Sequence, residues 1–161
     1  MNRRRAARFG AVQALYQMDL TATPMDAVIA EFEQHRLADL LEPLELNGGA
    51  PAEVDREWFQ NVTRGAWRRA QELDPLIEEM LASGWTLTRA GYLLRAFLRA
   101  GAFELADRPD VPVQVVLSEY VELAHGFLPA DEAGFVNAVL DRLAARLRPD
   151  RPPRPPAPPS R

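Results

Sequence analysis

Apolar residues recur along this chain at intervals of three and four, the spacing that gathers one face of an α-helix. Phe9, Val12, Leu15, Tyr16 and Leu20 follow it and predict a first helix over about residues 3–20. Thr23 before Pro24 reads as an N-cap followed by proline at the first helical position. It opens a second helix through Val28, Ile29 and Phe32 toward Leu41. Pro43 and the stretch Asn47-Gly48-Gly49-Ala50-Pro51 break that helix into a loop. A third helix over about residues 53–72 gathers Phe59, Val62, Ala66 and Ala70 on one face. Asp74-Pro75 starts a fourth with Leu76, Ile77, Met80 and Leu81, and Ser83-Gly84 ends it.

Residues 88–106 read as a fifth helix, with Leu94, Phe97, Leu98, Gly101 and Leu105 as its buried face. The valines at 111, 113, 115 and 116 favour a strand locally. The longer pattern of Val113, Val116, Leu117, Tyr120, Val121, Ala124 and Phe127 is helical, and Pro112 suits a first turn. A seventh helix over about 131–147 carries Val136, Val139, Leu140, Leu143 and Leu147. Strand alternation is nowhere sustained and no repeat is visible, so the expected fold class is all-α. Residues 149–161 hold seven of the 14 prolines and are expected to form an extended, flexible Pro/Arg-rich tail.

With 161 residues, 47% apolar and 26% charged, the chain falls in the globular range and has room for one compact domain. It contains no apolar run long enough to span a membrane. The arginine-rich start lacks the apolar stretch of a secretory signal, and cysteine is absent. A cytoplasmic protein is the expectation. Charge is segregated: Arg3, Arg4, Arg5 and Arg8 crowd the first ten residues without an acid, while residues 11–147 hold 11 arginines against 22 acids.

Candidate chemistry is sparse. His35 and His125 have no second ligand at metal spacing, so no metal site is expected. The carboxylate pairs Glu78-Glu79, Asp131-Glu132 and Glu119/Glu122 read as solvated helix surface. No nucleophile triad, phosphate loop or dinucleotide motif is present, and neither catalysis nor a cofactor is expected. The N-terminal arginines carry more information. Arg4 and Arg8 lie one turn apart with Arg5 beside them, where positive charge opposes the helix dipole unless an anion docks. Four neutralised phosphates on single-stranded nucleic acid would give a log–log salt slope near about −3. Two readings stay open here, an anion-binding end and a frayed basic terminus. Tyr16, Leu20, Phe127 and Asp131 form a second group, either an anchor for a protein partner or two core aromatics and an N-cap.

The run Arg3-Arg4-Arg5-Ala6-Ala7-Arg8, then Ala11-Val12-Gln13-Ala14-Leu15-Tyr16-Gln17, resembles the opening of the NusB family of bacterial transcription antitermination factors. So do Leu98-Arg99-Ala100, Phe103-Glu104-Leu105 and Asp110-Val111-Pro112. The densest similarity is Val116-Leu117-Ser118-Glu119-Tyr120-Val121-Glu122-Leu123-Ala124, followed by Phe135-Val136-Asn137-Ala138-Val139-Leu140-Asp141. The resemblance covers about residues 3–148 and is thin over 21–57. It implies a single helical domain, 1–148, with three-helix subdomains at about 1–84 and 85–148. It further implies binding of boxA RNA together with NusE, a small-subunit ribosomal protein. NusA, NusG and RNA polymerase complete the implied antitermination complex on ribosomal RNA operons.

By the same resemblance, Arg3, Arg4, Arg5 and Arg8 contact RNA, and Phe135 is either a base-stacking aromatic or core. Tyr16, Leu20, Arg95, Arg99, Phe127 and Asp131 face the protein partner, and Asn137 has a structural role. Two departures stand out. Ala138 replaces the motif's usual glycine, and Leu94 stands where many relatives place an acidic residue against the ribosomal partner. A helical protein-interaction module without specific RNA binding is the alternative. A methyltransferase recognition domain is disfavoured, because no cofactor-binding α/β domain is expected after Leu147. Exposed helix faces leave monomer and homodimer open.

Overall fold

The computed structural model describes residues 3–37, 54–82 and 84–150. Seven α-helices span these residues: α1 Arg3–Thr21, α2 Met25–Glu31, α3 Arg56–Arg68, α4 Ala70–Glu79, α5 Tyr92–Asp107, α6 Val113–Phe127 and α7 Ala130–Leu147. A π-helical turn, Phe32–Arg36, continues α2 without a break. The expected end of the second helix near Leu41, the loop at 43–51, Ser83 and most of the proline-rich tail lie outside the described residues.

Two helices carry the packing. α1 lies against both α3 and α5, and α5 in turn packs on α7, α3, α4 and α6. Both are buried on most sides, which demands small residues where backbones approach. α1 supplies Ala6, Ala7, Ala11 and Ala14, all fully buried. Closer still are the two glycine contacts. A Cβ on Gly65 of α3 would fall 2.1 Å from the Phe103 ring on α5, and one on Gly101 of α5 would fall 2.8 Å from Leu140 on α7. Phe97, Leu98, Leu105, Tyr120, Val136 and Leu140 extend the core between α5, α6 and α7.

A buried ion pair crosses this core. Arg8 is 1% exposed, and its Nε and Nη2 each donate to Glu104 at 2.8 Å. The Tyr120 hydroxyl donates to the same carboxylate, which is fully buried. Burial works against the charge on Arg8, but the hydrogen bonds and charge of Glu104 prevail and hold its pKa above the ordinary arginine value. At the far end of the chain, Arg148 donates to the carbonyls of Glu104, Leu105, Arg108 and Val111. The clamp ties the end of α5 to Arg108 and Val111: the Glu104 and Arg108 carbonyls already accept from the Arg108 and Val111 N–H groups and gain a second donor.

Local boundaries differ from the sequence expectation in three places. Pro24, not Thr23, is the N-cap residue of α2. The third helix starts after Asp55, whose carboxylate accepts from the Trp58 N–H at 2.9 Å, and it breaks at Arg69. α4 therefore begins at Ala70, with Pro75 inside it rather than at its first turn. Asp74 does not cap because its carboxylate is taken by Arg99, at 2.9 and 2.7 Å. The hydrogen bond that Pro75 cannot make falls on the carbonyl of exposed Gln71, where water can replace it. The fifth helix starts only at Tyr92, because residues 84–91 form turns.

Candidate nucleic-acid and partner interface

The four N-terminal arginines do not share one face. Arg3 and Arg4 are exposed at the start of α1, where the Arg3 carbonyl accepts from the Asp55 N–H at 3.2 Å. The Arg4 guanidinium lies 4.0 Å over the Trp58 ring and 3.8 Å from the Asp55 carboxylate, with its side chain 48% exposed. Arg108 covers the same indole at 4.2 Å, and the two arginines border a cleft of about 190 Å³ with Asp55, Glu57 and Asn61. Arg5 turns toward α6, pairing with Glu119 at 2.5 Å and with Glu122. The Glu119 hydrogen bond is the main reason that its pKa rises. Arg8 is the correction: expected at the RNA surface, it is buried against Glu104 and presents no guanidinium to a ligand.

Phe135 is half-buried, resting on the core and facing Trp85 at a centroid distance of 5.7 Å. Of the two readings that the sequence left open, the core one is met in part. Asn137 is exposed on α7. Leu94 is 3% exposed in the core of α5; it does not lie on a surface where it could replace a partner-facing acid.

The second group is largely at the surface. Tyr16 is 36% exposed, Leu20 52% and Phe127 46%, so the core alternative fails for Tyr16 and Phe127. The Phe127 ring stacks on Phe9 at 4.1 Å, which fixes it against α1. Tyr16 stands seven residues beyond Phe9 on the same side of that helix, about 10 Å along its axis. Asp131 is exposed in the first turn of α7, whose N-cap is Pro129, so Asp131 is not the cap. Arg95 and Arg99 are more enclosed, with side chains 15% and 11% exposed. Arg99 bonds Asp19 at 2.8 Å and Asp74 bidentately, while Arg95 reaches Asp19 at 3.5 Å. Burial opposes the charge on Arg99, and the Asp74 and Asp19 carboxylates overcome it. Asp19 thus ties α5 to the stretch of α1 that displays Tyr16 and Leu20. The Arg95 Nε is buried without a partner.

The family model described as the NusB family matches residues 5–145. The chain belongs to the NusB family. It is 49% identical to the transcription antitermination protein NusB of Rhizobium rhizogenes over 91% of this chain and 89% of that protein. The solution structure of NusB from Aquifex aeolicus is similar at 25% identity with a TM-score of 0.69, covering 96% of this chain and 97% of that one. The NusB chain of a crystal structure of NusB and NusE with double-stranded RNA shares the fold at 24% identity and a TM-score of 0.67, over 89% of this chain and 96% of that one. The all-helical NusB fold expected from the sequence is therefore the one found. Among the described residues, no helix is long and apolar enough to cross a membrane, and no group of three or more His, Asp or Glu side chains could hold a metal ion.

Sequence reasoning missed Trp58, Arg108 and Trp85. Trp58 and Arg108 lie against Arg4, but one is on α3 and the other just past the end of α5, and only the fold brings them together. Trp85 carried a local signal: it falls between the helical stripes, inside a turn, where a large aromatic has no core face to join.

Proposed function

We propose that this protein is an RNA-binding transcription antitermination factor that engages boxA RNA through its N-terminal arginines and NusE through α1, α5 and the α6–α7 corner. The reading is carried by its extensive similarity to curated antitermination proteins. Exposed Arg3 and Arg4 supply phosphate-binding guanidinium groups, which fix the protein on the backbone, while base contacts discriminate sequence. Tyr16, Leu20 and Phe127 leave apolar area that a protein partner would bury, and Asp131 adds a charge at its edge. The reading includes assembly with NusA, NusG and RNA polymerase in the cytoplasm, as a binding factor without catalysis. Monomer and homodimer are both compatible with RNA contact through the arginine end.

The test is fluorescence anisotropy of labelled boxA RNA and a scrambled control, with and without NusE. Binding should favour boxA and tighten when NusE is present. Arg3→Glu/Arg4→Glu should abolish binding while helix content stays constant. Equal affinity for both RNAs, or unchanged affinity in the double variant, would refute the assignment. Intact NusE binding with no RNA binding would favour the protein-interaction alternative. Arg8→Glu is unsuited to this test, because it would set a second carboxylate against buried Glu104.

A further inference from the structure

We propose that Trp85, backed by Phe135 and flanked by Arg89, is a base-stacking site for single-stranded RNA; the inference rests on the RNA-binding reading above. The segment between α4 and α5 holds its shape through specific contacts. Leu87 is 3% exposed and anchors it, and the Leu87 N–H donates to Glu78 Oε1 at 3.2 Å. Ala90 is buried as a second anchor. Gly84 turns the chain with φ of 88°, which side chains rarely tolerate. The Trp85 N–H donates to the Ala82 carbonyl at 3.0 Å.

Trp85 is thereby held outward. It remains 51% exposed although its ring lies against Phe135 with the planes tilted by 42°. Phe135 rests on the core, so one side of the indole is supported and the rest is open. A large aromatic normally buries most of its surface on folding, and leaving this one in water forgoes that gain. Arg89 is exposed on the same turn and spends one N–H on the Gly84 carbonyl, beside Trp85, at 2.8 Å. Its remaining donors have no partner among the described residues. An exposed ring beside a guanidinium matches a nucleotide, with the base on the ring and the phosphate on the arginine fork. Asp131 stands one turn before Phe135 on α7, about 6 Å along the axis. Its negative charge disfavours phosphate at that edge of the ring pair.

The site is tested on the full chain with labelled boxA RNA, comparing wild type, Trp85→Ala, Trp85→Phe and Arg89→Gln. Trp85→Ala should weaken RNA binding about tenfold, and Trp85→Phe should restore it to within about threefold. Arg89→Gln should also weaken binding and lower the salt dependence. Unlabelled RNA should quench part of the tryptophan emission in wild type, and that part should vanish in Trp85→Phe. Circular dichroism melts should coincide for all four proteins. Wild-type RNA affinity in Trp85→Ala, with no quenching, would overturn the stacking site and leave the arginine-end reading standing. Loss of NusE affinity in Trp85→Ala, with RNA affinity of the protein alone unchanged, would make Trp85 a protein contact and also overturn it. Failure of the wild-type protein to bind RNA would overturn both readings, and it would be seen before any variant is compared.

Discussion

Arg8→Met tests whether Arg8, the last arginine of the RRRAAR run, is correctly separated from the exposed pair Arg3 and Arg4. In the folded protein Arg8 and Glu104 are 1% and 0% exposed and share two hydrogen bonds of 2.8 Å. Methionine fills much of the arginine volume but leaves the Glu104 carboxylate with the Tyr120 hydroxyl alone. Breaking one side of a buried pair costs about 3–5 kcal/mol. For a domain of this size each kcal/mol lowers the melting temperature by about 2–4 °C, so the midpoint should fall by about 6–20 °C. The triple variant Arg8→Met/Glu104→Leu/Tyr120→Phe removes every member of the network, and most of the loss should return. Denaturant titration of wild type, single and triple variants measures both steps. RNA affinity of Arg8→Met, taken well below its melting point, should equal wild type. A single variant within about 1 kcal/mol of wild type, or a triple variant no more stable than the single, would refute the buried-pair account. A folded Arg8→Met that had lost RNA binding would refute the separation of Arg8 from the interface.

Alkaline stability should report on the same network: burial and then the charge of Glu104 push the Tyr120 phenol well above the ordinary tyrosine range. Its stabilising contribution is complete below the unfolded value of about 10 and is lost as pH rises toward the folded value, so unfolding followed by tyrosinate absorbance should steepen above that pH and flatten in Tyr120→Phe. Gly65→Ala places a Cβ 2.1 Å from the Phe103 ring and should destabilise by about 1–2 kcal/mol, with Phe103→Leu restoring most of it in calorimetry. Gly134→Ala, on an exposed part of α7 with nothing within 4 Å, should stabilise by about 0.5–1 kcal/mol, and the opposite sign in either glycine variant would contradict the packing described.

The helices were legible because their buried faces obey one short-range rule. Leu94, Phe97, Leu98, Gly101 and Leu105 were expected on one face of α5, and all five are buried. Pro75 misled because local rules assign proline to a first turn, whereas its helix starts earlier and Asp74 is occupied by Arg99 on another element. Arg8 was illegible for a similar reason. A charged residue in an arginine run reads as surface, and its burial depends on Glu104, 96 residues away in sequence. Leu94 shows the reverse case: a position inferred from relatives to face a partner is simply apolar, and the core takes it. Tyr16 and Leu20 continue the apolar spacing of α1 past the point where neighbouring helices cover it, so periodicity alone could not separate core from docking surface.

The arginine count therefore overstates the charge available to RNA. Arg8 is committed to Glu104, Arg99 to Asp19 and Asp74, Arg69 to Glu72 and Asp107, and Arg108 to Asp110. Arg148 is spent on backbone carbonyls, and Arg5 is held by Glu119 and Glu122. Much of the acidic excess of the body serves to hold these guanidinium groups inside the fold. At the N-terminal end of α1 the exposed guanidinium groups are those of Arg3 and Arg4, two phosphate contacts at most. In Arg89→Gln, which removes the phosphate contact of the proposed stacking site, the log–log salt slope at about −0.7 per single-strand contact should be near −1.4, against about −3 for four N-terminal arginines. Raising salt from 50 to 200 mM should then weaken RNA binding by this variant, without a protein partner, only about sevenfold, where a four-arginine site would lose about fiftyfold. Anisotropy titrations at the two salt concentrations separate these values, and a loss near fiftyfold would mean that Arg5 and Arg8 leave their carboxylates to meet RNA. The shallow slope also places most of the discrimination elsewhere, on stacked bases and on the surface contributed by the protein partner, because two charge contacts fix a backbone without reading its sequence.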